Sequence, residues 1–302
     1  MKAYKGFNKD MTCTPDGCKP FQYKEGETYE EPEADLCAKG FHACLDPLDC
    51  LNYYNICDSV YHEVELDDVS EHREKNDTKV CGKKIRIGAK LSIKDIVKAS
   101  VDFTMDRVKK EGGTNSGYSA QLASSGDNAQ LASSGYSAQL ASNGDNAKLA
   151  SSGDNAQLAS SGDYAQLASS GYYAQLASSG DNAQLASSGY SAKLASSGDY
   201  VQLASSGDSA KLASSGYSAQ LASSGYYAQL ASSGKDSVVM SAGIGGKVKA
   251  AVGNWIAITE WEVKDSHYAP VGIVVAKVDG EKVKADTWYK AENGQMVEVE
   301  EE

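Results

Sequence analysis

The segment Gly153-Asp154-Asn155-Ala156-Gln157-Leu158-Ala159-Ser160-Ser161 decides the architecture, because the chain repeats it. From Gly117 to Ser233 the unit Gly-[Asp/Tyr]-[Asn/Ser/Tyr]-Ala-[Gln/Lys]-Leu-Ala-Ser-Ser recurs thirteen times without an insertion, varied only by Asn143 and Val201. Two degenerate units follow, starting at Gly234 and Gly243. A period of nine is two and a half helical turns, so Leu would fall on opposite helix faces in successive units, and a Gly in every unit lowers helix propensity. A strand fits. In Ala-Gln-Leu-Ala-Ser the Ala and Leu point to one side and Gln to the other. Ser-Ser-Gly-[Asp/Tyr]-Asn supplies the turn, with Gly accepting φ > 0 and Asn or Ser bonding nearby backbone. One such strand cannot bury its own apolar face. Stacked copies can, and they satisfy one another's backbone groups, so the array predicts a β-solenoid with a thin Ala/Leu core and Ser at its corners.

The second position of the unit indicates how many units make a coil. Tyr fills five of the seven odd-numbered units and one of the six even-numbered ones. That split predicts two units, 18 residues, per coil. A three-unit coil sorts the residues nearly as well and stays open at this point. Two units per coil stack Asp127, Asp145, Asp163, Asp181 and Asp199 in one ladder and Tyr118, Tyr136, Tyr172, Tyr190 and Tyr226 in another. These ten residues are the candidate partner-binding surface. Stacked carboxylates repel, so the Asp ladder must be exposed or have its oxygens satisfied by turn amides, cations or a basic partner. The repeat departs from the calcium-binding nonapeptide, having one Gly and its Leu four positions after Asp, so no metal is assigned to it.

The array divides the chain into a head (1–116), the repeats (117–251) and a tail (252–302). Ser92-Ile93-Lys94-Asp95 opens a helix with a capping-box pattern, and Ile93, Ile96, Val97, Ser100, Phe103 and Val108 follow helical spacing; Gly112-Gly113 ends it. This helix is expected to cap the first coil. In the tail, Trp255–Trp261 and Gly272–Val278 alternate, Asp279-Gly280 and Asn293-Gly294 are hairpin signals, and a small antiparallel β cap follows. The fold class is mainly β: a capped solenoid with a small mixed α/β head and a β-hairpin C-terminal cap.

The 302 residues carry a formal charge of −12, divided as −4 in 1–116, −4 in the thirteen clean units and −4 in 234–302. That balance disfavours a nucleic-acid or anionic-membrane binder. No apolar run approaches a membrane span, and the N-terminus has no signal-peptide h-region. All seven cysteines lie in the first 81 residues. They are read as reduced thiols in a cytosol. The spacings Cys13-x4-Cys18, Cys37-x6-Cys44, Cys44-x5-Cys50 and Cys50-x6-Cys57 hold no C-x2-C knuckle; buried thiols are expected, with a zinc site beside His42 and His62 as the alternative.

Two resemblances add to this. Lys39-Gly40-Phe41-His42-Ala43-Cys44, Pro47–Tyr54, and Tyr61-His62-Glu63-Val64-Glu65-Leu66, with Tyr4-Lys5-Gly6 as a first strand, resemble the middle of small ADP-ribosyltransferase-like domains. That resemblance implies an NAD or nucleotide clamped between these strands, with Glu63 or Glu65 and Lys5 as the candidate catalytic residues. Lys5 stands where Arg or His is expected, and the carboxylates come early. The whole chain, with Phe21-Gln22-Tyr23, Thr28-Tyr29-Glu30, the Gly40–Cys44 phrase, nonapeptides and Thr287-Trp288-Tyr289, resembles a family of bacteriophage and prophage proteins to which no activity attaches. The expectation is a non-enzymatic binding protein of a host cytosol, without cofactor, whose solenoid engages a host or phage protein and interferes with a host defence component. The alternatives are an NAD-, ADP-ribose- or nucleotide-binding head, with or without transferase activity, carrying the solenoid as a spacer, and a structural virion or fibre part. Homo-oligomers are open.

Overall fold

A computed structural model describes residues 1–13, 20–36, 38–71, 78–111 and 117–299, without the side chains of 108–111. The chain divides into two compact units, Met1–Phe103 and Thr104–Glu302.

In the first unit, alternating burial builds β1 (Lys2–Asn8), β5 (Phe41–Cys44), β6 (Ser59–Val69) and β7 (Lys79–Leu91), with the short β4 (Thr28–Glu30) paired to β7. A separate two-residue ribbon joins β2 (Thr12–Cys13) to β3 (Phe21–Gln22). β1 lies between β5 and β6, and β7 pairs with both β5 and β6, so the sheet closes on itself. Ala3, Phe7, Val64, Leu66, Val80, Ile85 and Ile87 fill it, each fully buried. A 3₁₀ turn over Pro47–Asn52 follows β5; the Asp46 side chain caps it by accepting from the Leu48 amide at 3.0 Å.

Helix α1 (Ile93–Glu111) crosses the division between the units. Its start is the expected capping box: Ser92 Oγ accepts the Asp95 amide at 3.2 Å and Asp95 Oδ2 accepts the Ser92 amide at 2.9 Å. Ile96, Val97, Ser100, Val101 and Thr104 form its buried stripe. The expected end at Gly112-Gly113 lies outside the described residues.

The second unit is a β-solenoid of about eight turns. Fifteen four-residue strands, β8 (Gln121–Ser124) to β22 (Lys247–Ala250), start nine residues apart. Each of β8 to β21 pairs in parallel, in register, with the strand two units on, as in Leu140 with Leu158 and Leu149 with Leu167. The coil is therefore 18 residues, two opposed strands, and the three-unit alternative is excluded. The degenerate units and β23 (Trp255–Lys264) complete the last coils. Ala at the fourth position and Leu at the sixth fill the interior, as in Ala156 and Leu158, both fully buried.

Both sheets end in antiparallel additions. β23 pairs with β24 (His267–Lys277), and β22 pairs with β25 (Trp288–Glu292), which pairs with β26 (Gln295–Val299). Val278, Val283 and Tyr289 close the core there. The Asn293-Gly294 turn is as expected, with φ of 52° and 71°. The other hairpin turn is Asp265-Ser266, with φ of 48° and 64°. Asp279-Gly280, expected to be a hairpin, instead starts the crossover from one sheet to the other. Asp279 Oδ1 accepts the amides of Glu281, Lys282 and Val283 at 2.9–3.0 Å, and these bonds hold its carboxyl below the usual range.

Candidate functional site

The solenoid corners are built from three positions of each unit. The glycine is there for space. A Cβ on Gly171 would lie 2.0 Å from the Gly153 carbonyl oxygen one coil below, and the same approach recurs along the array. The expected φ > 0 falls two residues later: Asn155, Tyr164, Tyr173, Asn182 and Tyr200 have φ of 54–57°. The amide there donates to the second-position carbonyl of the next coil, as from Tyr164 to Asp181 at 2.8 Å. The first Ser of the pair points inward, and in most units its Oγ accepts the following glycine amide, as Ser151 does from Gly153 at 3.2 Å, while the Oγ atoms of Ser160, Ser178 and Ser232 are buried without such a bond.

The second position carries the Asp ladder. Asp127, Asp145, Asp163 and Asp181 each accept, through Oδ1, the amide of the next Asp at 2.8–3.0 Å, and Asp199 accepts the Tyr217 amide at 2.8 Å. Asp154 and Asp208 do the same for Tyr172 and Tyr226 on the other edge. Turn amides thus satisfy one oxygen of each stacked carboxylate, in an exposed setting. Among the described residues no group of three or more His, Cys, Asp or Glu could hold a metal.

The tyrosines are exposed, ten of them at 40–61%. Tyr118, Tyr136, Tyr172, Tyr190 and Tyr226 share one edge, joined there by Tyr173 and Tyr227 from the third position. Only Tyr118 and Tyr136 stack face to face, at 4.8 Å and 17°; Tyr172 and Tyr190 meet edge-on at 6.1 Å. The third-position tyrosines Tyr164, Tyr173, Tyr200 and Tyr227 were not among the expected site residues. Their signal in the sequence was a Tyr at a slot otherwise held by Asn or Ser.

The two broad faces differ. On the sheet beginning at β8, the outward Ala141, Ala159, Ala177 and Ala195 are buried. On the sheet beginning at β9 (Gln130–Ser133), the outward Gln, Lys and Ala are exposed. A groove of about 1140 Å³ runs along that open face between rows of Ala and Ser from Ala132 to Ala242. It leads to an apolar end formed by Val238, Met240, Trp255, Ile273 and Val275, all at least 36% exposed.

The head holds a separate cavity of about 220 Å³, lined by β1, β5 and the segment around Tyr53-Tyr54. Gly6 shapes it: a Cβ there would meet the Tyr54 ring at 2.4 Å, so only Gly lets that ring lie against β1. Lys5 lines the cavity; Glu63 and Glu65 do not. Glu63 pairs with Lys2 at 2.8 Å, and Glu65 is 3.6 Å from Arg86. The three candidate catalytic residues are thus not brought together. Cys13, Cys44, Cys50 and Cys81 are buried thiols, with the Tyr54 hydroxyl donating to Cys13 Sγ at 2.9 Å; Cys18 and Cys37 lie outside the described residues.

Residues 1–99 match a family model described as a domain of unknown function, DUF7666. That match covers the head. No curated protein and no solved structure matches the chain. Among the described residues, no helix is long and apolar enough to cross a membrane.

Proposed function

We propose that the protein acts by binding, with the solenoid presenting a rigid tyrosine-lined edge and the adjoining open face to a protein partner. The observation that carries this is the placement of Tyr173 and Tyr227, the third-position tyrosines on that edge. Each sits at φ of 55–57° and is 47–61% exposed. A left-handed backbone disfavours Tyr where Asn is tolerated. A large exposed ring on strained backbone carries a cost that a contact such as Tyr173 on Tyr190 offsets, and strained residues cluster where function requires them. Tyr is also enriched at the centres of protein interfaces, where a stiff amphipathic ring offers contact area at little entropic cost. The Asp ladder holds the turns of the opposite edge and is not the docking surface in this reading. The phage setting, the host cytosol and interference with a host defence component rest on the sequence resemblance.

The test uses full-length protein to capture a partner and then measures affinity for it. Replacing Tyr172, Tyr173, Tyr226 and Tyr227 together by Ser, Asn, Ser and Asn should weaken binding at least about 30-fold, the loss of a hot spot. Glu63→Gln/Glu65→Gln should bind as wild type. Full retention by the folded tyrosine variant, or loss on changing the two glutamates, would overturn the reading.

A further inference from the structure

The solenoid reading leaves the head cavity unused, and its chemistry is distinct. Lys5 is only 8% exposed. Its Nζ donates to the His42 carbonyl at 2.9 Å and lies 5.5 and 5.8 Å from the ring centroids of Phe7 and Tyr23. Among the described residues no carboxylate lies within ion-pair distance of it. A carbonyl and two ring faces offset only part of the desolvation of a buried ammonium. Such a group is completed by an anion. A second cation lines the same space: Lys79 Nζ stands 4.5 Å from the centroid of Tyr53, which is 47% exposed. His42 lies with them. Burial first, then the positive charges of Lys5 and Lys79, hold its pKa down at about 4, so the imidazole is neutral at pH 7. The remaining walls include the rings of Tyr4, Tyr23, Tyr53 and Tyr54.

We infer that this cavity binds a small anion built on a planar ring, with its phosphate or carboxylate held by Lys5 and Lys79 and its ring against Tyr53 and Tyr54. Size sets the upper limit. About 220 Å³ is below the roughly 300–1,000 Å³ of ordinary ligand pockets, so one ring and one anionic group fit and a dinucleotide does not. The inference is independent of what the solenoid binds.

Calorimetric titration of the full-length protein tests it, with phenyl phosphate as the phosphate probe and benzoate as the carboxylate probe. Phenol and benzamide are their uncharged counterparts. At least one anion should bind one-to-one, about tenfold or more tighter than its neutral counterpart, as a charge-assisted contact requires. Which anion binds tells phosphate from carboxylate. Lys5→Met should lower that affinity at least tenfold, and Tyr53→Ala should lower it less. If Lys5→Met does not fold, Lys79→Met provides the same readout at the second cation. Failure of both anions to bind, equal binding of the neutral counterparts, or unchanged affinity in the folded lysine variant would each overturn the inference.

Discussion

The Asp163 amide donates to Asp145 Oδ1 at 2.9 Å, one coil away. A carboxylate that looks like part of an acidic stripe is therefore a stacking element, receiving the backbone of the coil above it. The bond needs an oxygen and not a charge. Replacing Asp127, Asp145, Asp163, Asp181 and Asp199 together by Asn should keep the fold and raise the melting temperature at low ionic strength, because like charges in neighbouring coils are removed. The gain should vanish in high salt. Asp145→Ala should instead lower stability by about 0.5–1 kcal/mol, the net worth of one hydrogen bond. Thermal unfolding at two salt concentrations checks both; a large loss in the Asn variant would mean that the charge itself is required.

The corner glycines provide their own control. A Cβ on Gly144 would lie 2.2 Å from the Gly126 carbonyl oxygen, whereas at Gly126 the nearest atom among the described residues is Ser124 Oγ at 3.7 Å. Gly144→Ala should cost about 3 kcal/mol or more, since backbone must move to admit the methyl. Gly126→Ala should be neutral or stabilise by up to about 1 kcal/mol through the unfolded state. Equal effects in denaturant titrations would remove close approach as the reason for glycine.

Much of this solenoid is legible in its repeat. The nine-residue period and the Ala-x-Leu alternation are local, and the Asp/Tyr sorting at 18 residues carries the coil length because stacked positions share an environment. The reason for Gly is not legible. It lies in contact with residues 18 positions away, whereas the local pattern suggests φ > 0 at Gly, a conformation that belongs to the residue two later. The Asp265-Ser266 turn was hidden because neither residue is Gly or Asn, while Asp279-Gly280 offered a stronger signal for a turn that caps amides instead. The head cavity is partly legible: Tyr4-Lys5-Gly6, Gly40–Cys44 and Tyr53-Tyr54 stand in the phrases behind the ADP-ribosyltransferase-like resemblance, while Cys13, Tyr23 and Lys79 carry no motif. Lys5, Tyr23, Tyr53 and Lys79 come from four separate segments and meet only because β7 closes the sheet onto both β5 and β6.

Tyr164 isolates the cost of the left-handed position. It has φ of 55° and 57% exposure, and no ring partner among the described residues. Tyr164→Asn should stabilise by about 0.5–1 kcal/mol, as Asn adopts this region at lower cost. Tyr200→Asn should gain less, because Tyr200 also meets Tyr217 edge-on at 5.6 Å, a contact worth about 0.5–1.5 kcal/mol. Destabilisation by Tyr164→Asn would make the exposed tyrosines structural and weaken the binding reading.

His42 sets a pH dependence with a definite sign. Its folded pKa of about 4 lies below the ordinary 6.5, so the unfolded chain binds the proton more readily between these values. Stability from this group is complete above about pH 6.5 and falls as pH drops toward 4. Discounted for solvent screening, the loss is of order 1–2 kcal/mol. His42→Gln should flatten the stability profile between pH 4 and 6.5, measured by denaturant titration of the full chain. An unchanged slope would place that titration elsewhere.

The far end of the array depends on Asn254, which is fully buried. Its Nδ2 donates to the Gly234 carbonyl at 2.7 Å and its Oδ1 accepts the Ser237 amide at 2.9 Å. One side chain thus supplies both the donor and the acceptor that another coil would have offered. Asn254→Ala leaves two buried backbone groups unpaired, at about 1–3 kcal/mol each. Asn254→Asp keeps the acceptor but sets an oxygen against the Gly234 carbonyl, and should be no better. A solenoid is a chain of nearest-neighbour contacts, so this damage should stay local. Hydrogen exchange should rise in β21 (Val238–Ser241), β22 and β23 and fade within one or two coils toward β14 (Gln175–Ser178). A uniform rise along the array would show that the coils unfold as one unit, and that the cap stabilises all of them together.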